Sequence, residues 1–173
     1  MNRRLKNAVF GLIGGAAGTF AIGQAMAGLK KFQSREDKSL EKRLTPGQPT
    51  DVLAERIVSE DKKTAMSQAI HWGYGILWGG VYGVLRQEYP AVAKAFGLPF
   101  GVAFTAFGEG LMLPSMGLSA PAHKYPASTW VRDVTAHWVY TATTEGMCRL
   151  LETVERAVTA PPMRTNAELR RIS

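Results

Sequence analysis

Hydrophobic and polar positions segregate sharply along this chain. Four apolar stretches, at about 8–29, 67–85, 92–114 and 130–151, are separated by two short polar connections and one long charged one, 30–64. Each stretch is close to the roughly 20 residues an α-helix needs to cross a hydrocarbon layer. The pattern predicts an all-α fold, a four-helix transmembrane bundle. Residues 1–156 form its single domain, with a polar, partly helical loop between helices 1 and 2. The polar tail 157–173, with Pro161 and Pro162, is expected to be disordered. A soluble four-helix bundle would show a broad charged face on each helix. The first three stretches show none.

The first stretch holds 22 residues with only Thr19 and Gln24 polar, behind Arg3, Arg4 and Lys6. Those features, with Ala25-Met26-Ala27 near the end, also describe a secretory signal. Its glycines argue for a span. Gly11/Gly15 and Gly14/Gly18 lie four apart and make a flat surface that another helix can approach closely. His71, Gly75, Gly79 and Gly83 recur every four residues in the second stretch, as do Gly97, Gly101, Thr105 and Glu109 in the third. Residues at that spacing share a helix face, so these two glycine faces are expected to pack together. Pro99 is expected to kink the third helix. In the charged loop, Thr45-Pro46-Gly47-Gln48-Pro49 breaks any helix, and Thr50 is placed to cap a new one.

Each stretch carries a strongly polar residue near one end. If the helices alternate in direction, Gln24, His71, Glu109 and His137 fall at one depth, roughly 7–10 Å inside one surface at 1.5 Å rise per residue. Trp72, Trp130 and Trp138 crowd the same level, as an interfacial aromatic belt does. Ionisable groups in lipid turn inward and pair, so His71, Glu109 and His137 are expected to meet. A hydrogen-bonded structural plug, a proton-responsive or proton-conducting site, a zinc site with an open position and a haem held between the two histidines all stay open. No local ligand spacing favours the metal. Along the fourth stretch Asp133, His137, Thr141, Glu145 and Arg149 repeat every four residues. Glu145 and Arg149 are expected to form an ion pair. The stripe would offer a path from Asp133 inward.

The formal charge is +7, but no basic stripe interleaved with aromatics accompanies it, which argues against nucleic acid. The loop 30–64 holds nine Lys/Arg and seven Asp/Glu. The excess suits segments that meet anionic headgroups. The single Cys148 excludes an intrachain disulfide and a multi-cysteine metal site. No nucleophile–base arrangement or phosphate-binding glycine loop is visible, so no enzymatic activity and no cofactor are expected. The expected partners are the lipid bilayer and, through the glycine faces, a second copy or a larger membrane complex.

From His71 onward the chain resembles the YagU-like family of uncharacterised bacterial inner-membrane proteins. The resemblance rests on the spacing of His71 and Tyr82, on Pro114-Ser115-Met116-Gly117-Leu118-Ser119-Ala120-Pro121, and on His137, Glu145 and Arg149. It covers about 66–156. Glu109 stands where that family has a histidine, and the charged loop lacks its cysteines. The resemblance implies four helices in the bacterial inner membrane, with both termini in the cytoplasm, and no established reaction. The leading expectation is a multi-pass membrane protein whose His/Glu cluster responds to or moves protons, with envelope stress as its setting. The alternatives are a metal- or haem-binding membrane subunit and a structural subunit of a membrane complex.

Overall fold

The computed structural model describes residues 2–45 and 47–160, and among them every regular element is helical. Pro46 and the end of the expected disordered tail, 161–173, lie outside the described residues. Four long helical segments dominate. They are α1 (Arg3–Leu29), α4 (Lys63–Glu88), the segment built from α5 (Lys94–Phe107) and α6 (Leu113–Ser115), and α7 (Ala127–Thr159). Two short helices, α2 (Arg35–Leu44) and α3 (Pro49–Glu55), occupy the charged connection.

The helices overrun the apolar stretches because their polar flanks also favour helix. Asn2 caps α1 by accepting the Arg4 amide at 3.0 Å. Ser34 does the same for α2 through Asp37, while Glu36 and Asp37 in the first turn and Lys42 and Arg43 in the last complement the helix dipole. Pro49 opens α3 and Gln48 precedes it. Thr50 is therefore inside the helix, not its cap. With Asp51 it accepts the Ser67 hydroxyl of α4, at 3.0 and 2.5 Å.

The third segment is broken at two places, neither of them Pro99. Ala95, Phe96 and Gly97 adopt left-handed backbone, with φ of 47°, 53° and 80°. Regular winding starts after Gly97. Pro99 then lies in a first turn, where its missing N–H leaves no bond unmade. The second break is the π-helical turn Gly108–Met112, in which the Leu113 amide reaches back to the Gly108 carbonyl. Pro114 follows directly. A proline ring clashes with the carbonyl four residues earlier, and the widened turn relieves that crowding.

The glycine faces choose different partners from those expected. Gly75, Gly79 and Gly83 of α4 meet α1, not α5. A Cβ on Gly15 would fall 2.8 Å from the Gly79 Cα, and one on Gly11 2.8 Å from the Gly83 Cα. The opposite edge of α1, Gly14 and Gly18, meets Thr144 and Tyr140 of α7. Gly97 and Gly101 of α5 instead face Thr141, His137 and Trp138 of α7. Periodicity identifies a small-residue face but not its neighbour. α4 has a second, aromatic edge, and that edge takes α5. Trp78 lies 5.0 Å from Phe104 and Tyr82 5.0 Å from Phe100, ring centre to ring centre. Tyr82, Phe100, Phe104 and Tyr140 form the buried core.

Two segments, Arg3–Phe32 and Pro90–Ser115, are long and apolar enough to cross a membrane. α4 and α7 carry more polar residues, and the bundle turns most of α7's inward.

Candidate functional site

The interior of the bundle is unusually charged. Arg132, Asp133 and Glu145 are buried, as are Thr105, Thr141 and Thr144, whereas Leu77, Val102, Leu111, Val131 and Leu150 face out. The buried charges form two clusters on α7, 13 residues apart. That separation is about 20 Å along a helix.

The first cluster sits where α2 crosses the start of α7. The Arg132 guanidinium donates from Nη1 to both oxygens of Glu41, at 2.8 and 2.7 Å, and to Gln33 Oε1 at 2.9 Å. Its Nε and Nη2 close on Asp133 Oδ1 at 2.7 Å each. Gln33 and Thr129, both buried, tie the Glu41 carboxylate further. A buried arginine is tolerable only when its donors are used, and here Glu41, Gln33 and Asp133 accept from it. Burial alone would raise the Glu41 carboxyl. Arg132, Gln33 and Lys30 instead hold it below its ordinary 4.5.

The second cluster lies at the other end of the bundle. Glu145 is fully buried. It accepts from Arg86 twice, Nε at 2.6 Å and Nη2 at 3.0 Å, from the Tyr82 hydroxyl at 2.8 Å and from Arg149 Nε at 2.6 Å. The last is the i, i+4 pair read from the sequence. Arg86 extends the network to Glu152, which also accepts from Gln87. The Arg149 guanidinium stacks 4.8 Å above Phe96, in the left-handed turn, and Trp138 Nε1 donates to the Ala95 carbonyl at 2.9 Å. These contacts from α7 hold residues 95–97 in backbone that costs of order 1–3 kcal/mol per non-glycine residue.

The expected layer of Gln24, His71, Glu109 and His137 divides. α4 and α7 run parallel, with the Tyr140 hydroxyl on the Gly75 carbonyl at 2.6 Å. His71 and His137, a turn further along, therefore share a level. Gln24 is exposed. Glu109 lies about a turn beyond, in the field of Asp133, Arg132 and Glu41, and makes no side-chain hydrogen bond among the described residues. Gly108 rather than Glu109 takes the buried position, because 3.6 residues per turn carries the face of Gly101 and Thr105 to it. His137 Nδ1 lies 2.8 Å from the Asp133 carbonyl, and its ring packs edge-on to Phe104 at 5.1 Å. Phe104 stacks on Tyr74 in turn. Aromatic rings thus fill the space beside His137. The zinc set of His71, Glu109 and His137 is not assembled, and among the described residues no three His, Cys, Asp or Glu stand together to hold a metal ion.

Sequence reasoning missed Arg86, Arg132, Glu41 and Gln33. For the arginines a signal was present: each lies at the edge of an apolar stretch, where a charge demands an inward partner. Nothing local marked the other two, which are 91 and 99 residues from Arg132.

An all-helical protein with charge inside and hydrocarbon outside defines the class. Residues 35–146 match the family described as Protein of unknown function (DUF1440), and the chain belongs to that family. The matched segment contains Glu41, Arg86, Glu109, Arg132, Asp133 and Glu145. No curated protein and no solved structure matches the chain.

Proposed function

We propose that this chain is a four-span integral membrane protein, without enzymatic activity, whose interior responds to protons. One observation carries the membrane reading. The outward faces of all four long segments carry apolar residues (Ile13 and Phe20, Leu77, Val102 and Leu111, Val131 and Leu150), while Arg132, Asp133 and Glu145 of α7 turn inward. In water such an arrangement would expose large apolar patches and bury ions at a cost of several kcal/mol each. In lipid the outward face is at home, and paired inward charges are the usual solution. The resemblance to YagU-like proteins favours the bacterial inner membrane.

Charge balance around Arg132 supports the proton-responsive part. Arg132 and Lys30 stand against Glu41, Asp133 and Glu109, two bases against three acids. One proton on Glu109 balances the group. The geometry favours response over conduction. Between the two clusters the hydroxyls of Thr141, Thr144 and Tyr140 donate to backbone carbonyls, which do not relay protons. The test is the purified protein in liposomes. A pH-dependent change in tryptophan fluorescence, abolished by Glu109→Gln and unaccompanied by proton flux, is expected. A pH response identical in parent and variant refutes the assignment of the site. Recovery of the chain in the aqueous fraction after an alkaline wash refutes the membrane reading.

A further inference from the structure

In residues 30–43, between α1 and α4, most bases face out while two of the three acids turn inward and Glu36 alone of the acids is exposed. Asp37 and Glu41 on α2 turn toward α7, where Ser128 donates to Asp37 at 2.7 Å and Arg132 to Glu41. Asp51 of α3 accepts from Ser67, and Glu55 pairs with Lys63. Most bases are left outside. Lys31, Arg35, Lys42 and Arg43 are exposed, and among the described residues none has a salt-bridge partner. Phe32, 88% exposed, stands between them. At the opposite end Arg4 pairs with Glu88, Lys6 with Glu155 and Arg156 with Glu152, while Arg3 and Lys94 have no salt-bridge partner among the described residues. Residues 30–43 therefore project a positive field around a bare aromatic ring.

We infer, resting on the membrane reading above, that residues 30–43 form a docking surface for anionic phospholipid headgroups. The end of the bundle that carries them lies against the anionic cytoplasmic leaflet, and Arg3 of α1 and Thr159 of α7 lie on the far side. Lysine and arginine near such a leaflet are drawn to its phosphates within a Debye length. An exposed aromatic between them suits the boundary between headgroups and acyl chains. The connection 30–64 brings nine lysines and arginines to that leaflet, which favours its retention there. This orientation reverses the one implied by the family resemblance. The mechanism needs the acids facing inward: if Asp37 and Glu41 faced out, they would cancel much of the field.

Two experiments on the full-length protein test it. The protein is released from nanodiscs of equal phosphatidylglycerol and phosphatidylcholine, and its retained lipids are counted by native mass spectrometry. The parent is expected to keep phosphatidylglycerol preferentially. The variant Lys31→Gln/Arg35→Gln/Lys42→Gln/Arg43→Gln is expected to lose that preference about tenfold, while Arg3→Gln/Arg4→Gln keeps it. In a Cys148→Ala background, Thr159→Cys should react with an impermeant maleimide in intact spheroplasts, and Ser39→Cys only after permeabilisation. Equal retention of both lipids by the parent, or labelling of Ser39→Cys from outside, overturns the inference and leaves the membrane reading intact. A chain that needs no detergent sinks the membrane reading itself.

Discussion

Arg86 and Arg149 reach the same carboxylate, each with an Nε–oxygen distance of 2.6 Å. Counted as ion pairs they are equal. Their surroundings are not: the Arg86 side chain is 9% exposed and that of Arg149 52%. Replacing Arg86 by Met leaves fully buried Glu145 with one exposed cation and one hydroxyl, and removes a donor from Glu152 as well. Breaking a buried pair by deleting one member costs about 3–5 kcal/mol. Replacing Arg149 by Met leaves both Arg86 bonds and the Tyr82 hydroxyl in place. A half-exposed pair contributes at most about 1 kcal/mol, and the stacking on Phe96 adds about 0.5. The two variants should therefore differ by at least about 1.5 kcal/mol, roughly 12-fold in the unfolding equilibrium. Dodecyl sulfate titration in mixed micelles, followed by fluorescence of the four tryptophans, measures both. Equal losses would refute the claim that burial, not distance, gives the Arg86 pair its weight.

Two further outcomes follow from the packing and from α2. Gly79→Ala places a methyl against the backbone of Gly15 and Gly11, where no flexible side chain can yield; it should cost about 1–3 kcal/mol, whereas Gly23→Ala, with open space around it, should gain up to about 1 kcal/mol in the same titration. Because the folded Glu41 carboxyl lies below its ordinary 4.5, its stabilisation is complete above that pH and disappears as the pH falls below it toward the folded value. The parent should outlast Glu41→Gln in thermal unfolding at neutral pH and converge with it in acid, and a constant gap would contradict the ion pair.

The helices were legible because an apolar run of that length has few alternatives. What the sequence withheld was pairing. The four-residue repeat in α4 announces a flat face, yet α1 and α5 both offer small residues to fill it, and only the competing aromatic edge of Tyr74, Trp78 and Tyr82 decides between them. Glu145 and Arg149 were readable as a pair since one helical turn separates them. The Arg132 cluster was not, because half of its groups arrive from a connection almost a hundred residues upstream. Glu109 continues the four-residue repeat of Gly97, Gly101 and Thr105, but at 3.6 residues per turn that face passes to Gly108 and leaves Glu109 at its edge.

The Arg86–Glu145 bridge joins residues 59 positions apart, so during synthesis the cation leaves the ribosome well before its counterion exists. Until α7 follows, the Arg86 guanidinium has no carboxylate at position 145 to meet. Completion of the interior is therefore timed by the last helix. A chain that stops short of residue 145 leaves that guanidinium unneutralised by its buried partner.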